Sequence, residues 1–167
     1  ISSKKAVYFL INRTMEIVFK KAESEDIAKL VEFMEEYYEY DHLVFDRRVA
    51  HKALGELLGD DLAGSAWLIQ CDGKEVGYIV VSFVCSLEFH GRTAFIDEMY
   101  IREGYRKQGF GVKALVFVVE FCRSKIIDAL RLEVERSNVR ARSVYEKFGF
   151  TAHDRFIITR WINSKSV

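Results

Sequence analysis

A short glycine-containing stretch between an apolar strand and a long apolar helix constrains the fold of this chain more than any other feature. It reads Arg106-Lys107-Gln108-Gly109-Phe110-Gly111-Val112-Lys113-Ala114. Its glycines let the backbone turn tightly and approach a ligand with no Cβ in the way. A helix that begins here directs its unpaired N–H groups and the positive end of its dipole to one place. We therefore predict an anion site, and Arg106 and Lys107 on its rim favour phosphate or pyrophosphate.

A dinucleotide-binding loop is one interpretation of this stretch. Gly109 to Ala114 matches the pattern G-x-G-x-x-G/A, in which glycines approach a pyrophosphate at a helix N-terminus. However, a polar run at 102–108 separates the strand from the first glycine, and most of the chain lies upstream. Too little sequence follows to complete a doubly wound sheet, so this interpretation is disfavoured. A glycine-containing turn with no ligand is the other alternative at this point.

Composition limits the remaining possibilities. The 167 residues are 50% hydrophobic and 14% aromatic, which is enough for one well-buried core. Lys+Arg and Asp+Glu each count 25, so no net charge favours nucleic acid or an anionic membrane. No apolar stretch reaches the roughly 18 residues of a membrane span, and we expect a cytoplasmic protein. Cys71, Cys85 and Cys122 are far apart and predict buried core residues, with no metal site.

The order of predicted elements indicates a mixed sheet. Hydrophobic periodicity predicts a strand at 15–20, helices from 27 and from 47, strands at 66–70, 76–88 and 93–101, a helix at 109–125, a strand at 130–135, a helix after Asn138 and closing strands at 150–162. Three successive strands without a helix argue against a repeating βαβ chain. The closing strands or the edge of strand 76–88 could pair with a second copy, which would give a homodimer.

The domain prediction is a single domain at 15–167. Residues 1–14 precede the first methionine, Met15, and are interpreted as an extension that is not native. An ordinary N-terminal strand at 7–11 is the alternative.

An acidic and aromatic cluster lies between the first two predicted helices. It comprises Glu35, Glu36, Tyr37, Tyr38, Glu39, Tyr40, Asp41 and His42. The cluster is either a solvated helix end or a wall that attracts a cationic substrate, and the pattern leaves both open.

Three local matches together resemble the GNAT superfamily of acetyl-CoA-dependent N-acetyltransferases. Arg106 to Gly111 is similar to its Arg/Gln-x-x-Gly-x-Gly/Ala loop, 95–101 looks like its fourth strand, and 138–150 resembles its N-x-x-A-x-x-x-Y-x-x-x-G-F signature. The matches occur in the family's order over about 15–162, with a weaker likeness to polyamine acetyltransferases. The resemblance implies an α+β (mixed α/β) fold with a central, mostly antiparallel twisted sheet flanked by helices, and acetyl-CoA as cofactor.

The resemblance also implies a cofactor site. It assigns the pantetheine arm to the backbone of Met99, Tyr100 and Ile101, in a slot that opens where this strand and 130–135 splay apart. It assigns the pyrophosphate to Arg106, Lys107, Gln108, Gly109, Phe110, Gly111 and Val112. Asn138 matches a residue that reaches the cofactor, although a plain helix cap would satisfy the same position.

The same resemblance suggests the acid, and the residues suggest candidate bases. Tyr145 matches the family's general acid, a phenol that is protonated at neutral pH, with a core aromatic as the alternative. Asp97 and Glu98 are candidate bases for the substrate ammonium. Strand alternation allows only one of them to face the cleft unless the strand is bulged, and we favour Glu98. His42 is a third candidate.

The expected function is acetyl transfer from acetyl-CoA, by direct attack, to the primary amine of a small cationic acceptor such as a polyamine. If the acidic cluster forms the acceptor wall, as the resemblance implies, its binding residues are Glu35, Tyr38, Glu39 and Asp41. A protein or peptide amine as acceptor, and a non-catalytic acetyl-CoA-binding module, are the alternatives.

Overall fold

The structure is a computed structural model that describes residues 15–162. The predicted extension at 1–14, with its alternative strand at 7–11, lies outside the described residues. The chain divides into two compact units, Ile1–Glu133 and Val134–Val167. The single domain expected over 15–167 stays a prediction.

The first unit contains a five-stranded sheet in the order β1-β2-β3-β4-β5. Its strands are β1 Ile17–Lys21, β2 Gly64–Cys71, β3 Lys74–Ser86, β4 Gly91–Ile101 and β5 Ala129–Leu132. The first three pairings are antiparallel, and β5 joins β4 in parallel. Asp72 and Gly73 have φ of 48° and 76° in the β2–β3 hairpin, the left-handed pair that an Asp-Gly turn requires. The mixed, mostly antiparallel sheet predicted above is confirmed.

Four α-helices accompany the sheet in the described part of the chain. They are α1 Ile27–Tyr40, α2 Arg47–Leu58, α3 Phe110–Ser124 and, in the second unit, α4 Val139–Lys147. Short 3-10 turns at Ser24–Asp26 and Glu103–Tyr105 precede α1 and α3. The Asp46 carboxylate accepts the N–H groups of Arg48 and Val49 at the start of α2, so the capping rule explains where this helix begins.

The sheet of the first unit is buried on both faces. Leu68 of β2 belongs to the same core as Leu30 and Phe33 of α1. The adjacent Trp67 instead contacts Phe117 and Phe121 of α3, with ring centroids 5.3 and 4.6 Å apart. Successive strand residues point to opposite faces, so β2 places α1 on one face and α3 on the other.

Three expectations are wrong in this structure. No strand is assigned within 150–162, and residues 151–162 are exposed. The run Phe156-Ile157-Ile158 is continuously apolar, without the alternation that gives a strand one buried face. β3 is not an edge strand, because β2 and β4 flank it over most of its length. Cys85 is exposed, whereas Cys71 and Cys122 are buried, because the β2–β3 pairing ends at Ser82. A homodimer stays a prediction.

Among residues 15–162, no helix is both long and apolar enough to cross a membrane.

Gly77 allows β3 and the end of β4 to approach closely, which generates a stability prediction. A Cβ at this position would lie 2.1 Å from the Tyr100 carbonyl oxygen. We expect Gly77→Ala to lower the free energy of unfolding by about 1–3 kcal/mol, because the strands must shift to relieve the overlap. Chemical denaturation of purified variants measures this change.

Gly104→Ala is the matched control, since no atom lies within 4 Å of a Cβ built on Gly104. Equal stabilities for the two variants would contradict the β3–β4 register described here.

Candidate active site

The candidate site begins where β4 extends past the end of the neighbouring strand β5. The parallel pairing of β4 and β5 ends at Ile96 and Leu132, whereas β4 continues to Ile101. Beyond Ile96, β4 therefore pairs with β3 alone within the first unit. The outer edge of β4 beyond Ile96 therefore has no neighbouring strand in the first unit, and a slot between splayed strands stays a prediction.

The register of β3 and β4 shows which backbone groups face the open side. Arg102 N–H donates to the carbonyl of Val76 over 2.9 Å, so these opposite residues form a hydrogen-bonded pair. Hydrogen-bonded and non-hydrogen-bonded pairs alternate in an antiparallel ladder. Tyr100 therefore directs its backbone groups to β3, and Met99 and Ile101 direct theirs to the open side.

The N-terminus of α3 offers backbone donors. Gly109 occupies the N-cap position with φ of 85°, and no side chain caps the helix. The first N–H groups, which include those of Gly111 and Val112, have no intrahelical partner by helix geometry. A Cβ on Gly111 would meet no atom within 4 Å, so neighbouring protein atoms do not crowd the backbone at Gly111. The buried Phe110 ring anchors this end of the helix, 5.9 Å from the ring of Tyr105.

The preceding loop residues are held by hydrogen bonds. The Gln108 side-chain amide donates to the Gly104 carbonyl over 2.8 Å, and Lys107 has φ of 62°. Arg106 Nε donates to the Ile101 carbonyl over 2.6 Å, and its guanidinium carbon lies 3.9 Å from the centroid of Tyr40. Arg106 thus fastens the loop to the end of β4.

Asp97 occupies a β-bulge, which changes the expectation from strand alternation. Val80 is opposite Glu98 and Val81 is opposite Ile96, so Asp97 is the extra residue of β4. Burial and the hydrogen bond to Glu98 raise the pKa of the Tyr38 hydroxyl, and the charge of Asp97 adds to the rise. Because a bulge interrupts strand alternation, the rule that only one of the two carboxylates can face the cleft no longer applies.

Two phenols hold Glu98. The Tyr38 hydroxyl donates to Oε1 over 2.7 Å, and the Tyr78 hydroxyl donates to Oε2 over 2.6 Å. Burial raises the pKa of Glu98, while these two hydrogen bonds oppose the rise by stabilising the carboxylate. Sequence reasoning missed Tyr78, which lies in an apolar strand. The sequence feature that could have indicated Tyr78 is a phenol hydroxyl within an otherwise apolar strand, because a buried phenol needs a polar partner.

The Asp97 carboxylate is more accessible. Asp97 is an exposed residue, yet partial desolvation still raises the pKa of its carboxyl group. No hydrogen bond or ion pair engages this carboxylate within the described part of the chain. Asp97 is thus a carboxylate with a raised pKa and room for an external proton donor.

The acidic cluster separates into paired and exposed carboxylates. Glu35 forms an ion pair with Arg47 at 2.9 Å. Glu36 accepts from Arg102 Nε over 2.9 Å, a contact that lowers the pKa of Glu36. Sequence reasoning missed Arg102 as its partner because the pair spans 66 positions in the chain.

The exposed carboxylates are at the end of α1. Glu39 and Asp41 are both exposed there, and so is His42. The C-terminus of a helix is the negative end of its dipole. These two carboxylates therefore add to a negative local potential.

In the second unit, Asn138 and Gly149 bound α4. The Asn138 side chain accepts the Ala141 N–H over 3.1 Å and caps the helix. At the other end, Gly149 has φ of 88°, its N–H donates to the Glu146 carbonyl, and Phe150 N–H donates to the Tyr145 carbonyl. This pattern is a Schellman motif, as the glycine predicted.

Tyr145 is fixed by the same motif. Its ring packs edge-on against Phe150 with centroids 5.7 Å apart, which is the hydrophobic contact that accompanies a Schellman motif. Burial raises the pKa of the Tyr145 hydroxyl, so the phenol carries its proton at neutral pH.

No group of three or more His, Cys, Asp or Glu side chains suited to a metal ion occurs within 15–162.

Comparison with known proteins gives relatives of the same kind. Residues 25–150 match the family model described as Acetyltransferase (GNAT) family. The chain is 26% identical over 146 residues to the thialysine N-epsilon-acetyltransferase of Bos taurus, covering 80% of this chain and 83% of that protein. The corresponding Sus scrofa enzyme is 25% identical over 142 residues, with 80% and 83% coverage.

Solved structures share the fold. An integron cassette protein from the mobile metagenome of Cole Harbour Salt Marsh superposes with a TM-score of 0.77 at 28% identity, covering 88% of this chain and 91% of that one. A predicted acetyltransferase from Clostridium acetobutylicum, solved with acetyl-CoA, gives a TM-score of 0.74 at 18% identity, with 87% and 96% coverage. Since the family model spans well over half of its length, the chain belongs to the GNAT acetyltransferase family and is an acetyl-CoA-dependent N-acetyltransferase.

Proposed function

We propose that this enzyme acetylates the primary amine of a small cationic acceptor, with polyamines and thialysine as the first compounds to test. The β-bulge at Asp97 carries the proposal, because it interrupts the alternation that would leave only one of Asp97 and Glu98 at the cleft. Two anions next to aromatic rings favour an ammonium group over a neutral or acidic substrate. The bovine and porcine relatives, named for acetylating the ε-nitrogen of thialysine, support an amine acceptor.

The residues present fit acetyl-CoA. When bound, this cofactor supplies the acetyl group as an activated thioester. The outward backbone groups of Met99 and Ile101 can pair with an extended amide-containing arm. The uncapped N–H groups at the start of α3 can hold a pyrophosphate, and two loop cations can add charge-assisted bonds. The proposed holding residues are Met99, Ile101, Arg106, Lys107, Gln108, Gly109, Phe110, Gly111, Val112 and Asn138. Tyr100, which the resemblance had included, is left out because its backbone groups pair with β3.

We assign the base to Asp97 and ammonium recognition to Glu98, which reverses the preference drawn from sequence. A base must accept a proton from the acceptor, and the exposed Asp97 has a raised pKa and no competing donor. Glu98 already accepts from Tyr38 and Tyr78, and both hydrogen bonds favour its ionised form. It is therefore better suited to hold a positive charge than to take a proton.

The remaining acceptor contacts come from the end of α1. Glu39 and Asp41 are exposed there and can attract a second positive charge of a diamine or polyamine. Tyr38 contributes its ring, which packs against Phe45 at 5.3 Å. Glu35 contributes least, because Arg47 already compensates its charge.

We assign the general acid to Tyr145. The assignment rests on its position in the Asn138 to Phe150 signature and on a hydroxyl that stays protonated at neutral pH. A protonated phenol can donate its proton to a leaving thiolate, and the Tyr145 ring is held by Phe150.

An acceptor screen tests the proposed function. Release of free CoA thiol is followed with spermidine, thialysine, an aminoglycoside and a lysine-containing peptide as acceptors. The proposal expects small cationic amines to give the highest kcat/KM. Preference for the peptide would make the enzyme a protein acetyltransferase, and no thiol release despite acetyl-CoA binding would indicate a non-catalytic module.

Substitution of the two carboxylates separates their roles. Asp97→Asn should lower kcat by roughly 10²-fold or more, the usual contribution of a general base. In the wild type, kcat/KM should fall as the pH drops through the Asp97 pKa, because protonation removes the base. Desolvation places this pKa above the ordinary value of an aspartate. Asp97→Asn should lose this acid limb. Glu98→Gln should mainly raise KM for the amine.

Asp61→Asn is the control, since Asp61 is an exposed carboxylate paired with Lys21 at 3.1 Å. A loss of kcat confined to Glu98→Gln would return the base to Glu98.

Tyr145→Phe tests the acid. Phenylalanine keeps the ring packed against Phe150, so the fold and the acetyl-CoA Kd should stay nearly unchanged. Loss of the hydroxyl proton should lower kcat by about 10²-fold. Steady-state kinetics and calorimetric titration with acetyl-CoA measure the two quantities, and an undiminished kcat would remove Tyr145 from the acid role.

A further inference from the structure

We propose that the Arg106 side chain fills a cation-binding site formed by the rings of Tyr40 and Tyr100, and that Arg106 moves out of this site when CoA binds. Its departure frees the ring faces for a second positive charge of the acceptor, so CoA must bind before a doubly charged acceptor binds well. This inference rests on the proposed function above, because it requires CoA at the α3 loop and a cationic acceptor.

The contacts of Arg106 define the occupied state. Its guanidinium carbon lies 3.9 Å from the centroid of Tyr40 and 5.3 Å from that of Tyr100. Both distances are within the range of a cation–π contact. Arg106 is half-buried, and no carboxylate pairs with it among residues 15–162. The side chain is therefore a partly desolvated cation that lacks an anionic partner.

One of these contacts competes with the cofactor. Arg106 Nε donates to the carbonyl of Ile101, which faces the open side of β4 in the ladder described above. An extended arm that pairs with this edge needs the same carbonyl as an acceptor. Binding of the arm thus weakens the hydrogen bond that holds Arg106 against the rings.

The phosphate site supplies the alternative partner. Arg106 precedes the N-cap Gly109 of α3 by three positions, at the rim of the uncapped N-terminus. Charge-assisted hydrogen bonds from a guanidinium to phosphate are stronger than a cation–π contact at a partly exposed ring. A bound pyrophosphate therefore shifts Arg106 from the rings to the loop.

The vacated rings suit an ammonium group. Tyr40 is 60% exposed, and it lies at the end of α1 between the exposed carboxylates of Glu39 and Asp41. While the guanidinium covers the ring, its charge repels a second cation. After it leaves, the ring face can bind an ammonium, and the charges of Glu39 and Asp41 at the same end of α1 add an attractive potential.

The Nε–Hε resonance of Arg106 tests the movement directly. It is observed in protein labelled with 15N-arginine and assigned by its loss in Arg106→Lys. Without ligand, ring currents should shift the signal, and the Ile101 hydrogen bond should slow its exchange with water. Saturation with CoA should remove both effects. An Hε signal that keeps its shift and protection while the Gly109 and Gly111 amides respond to CoA would overturn the inference.

The failure of the proposed function would look different. If CoA leaves the Gly109 and Gly111 amides unperturbed, the loop is not the cofactor site, and the proposed function fails together with this inference.

Acceptor affinity gives a second readout. Spermidine and thialysine are titrated calorimetrically into the wild type with and without saturating CoA. We expect CoA to lower the Kd of the amine about threefold or more in the wild type, and to have no such effect in Arg106→Ala. Arg123→Ala, which removes an exposed arginine paired with Glu120 at the other end of α3, is the matched control and should keep the dependence. Equal wild-type affinities with and without CoA, or no binding of either amine to the CoA complex, would contradict the proposal.

Discussion

A strand that continues past the end of its neighbour leaves backbone N–H and C=O groups without partners, and β4 does this beyond Ile96. Such groups cost free energy unless water, side chains or a ligand satisfy them. Part of the deficit is met within the protein, because Arg106 donates to the Ile101 carbonyl. The rest is a ready-made row of donors and acceptors for an extended ligand. The proposed cofactor slot, the loop and the proposed acceptor wall all involve this edge of β4.

The bulge at Asp97 lies at the point where the edge becomes free. It adds one residue to β4 and so interrupts the alternation that would separate the consecutive carboxylates Asp97 and Glu98. Two like charges in a partly buried place repel each other and lose solvation. Tyr38 and Tyr78 offset this cost at Glu98 by donating to both of its oxygens. Tyr38 and Tyr78 therefore stabilise the charge of Glu98 in addition to packing against the core.

The sequence predicted the elements whose rules are local. The glycine loop, the Asp46 and Asn138 caps and the glycine after α4 follow from the backbone needs of helix ends. The order of strands and the family resemblance predicted the sheet. The bulge was not predictable, because it depends on how Val80 and Val81 pair with β4. The partners Tyr78–Glu98 and Glu36–Arg102 are also non-local, separated by 20 and 66 positions.

The segment 150–162 shows that apolar residues with strand propensity need not form a strand. Its apolar residues favour strand formation by propensity, yet the structure assigns no strand there and leaves 151–162 exposed. Propensity describes how a side chain fits a sheet, and it does not supply the neighbouring strand. A strand forms only where a partner edge satisfies its backbone groups.

The thermal unfolding midpoint in the presence of acetyl-CoA tests the central claim, that the uncapped start of α3 and the open edge of β4 hold this cofactor. At about 100 times Kd, acetyl-CoA should stabilise the wild type by about 2.7 kcal/mol, a shift of roughly 5–10 °C, whereas NAD should have no effect. Gly111→Val should lose most of the shift, since a side chain in this first turn hinders the close approach of a phosphate to the backbone, and Gly104→Ala should keep it. A shift with NAD instead of acetyl-CoA, or an undiminished shift in Gly111→Val, would contradict the account.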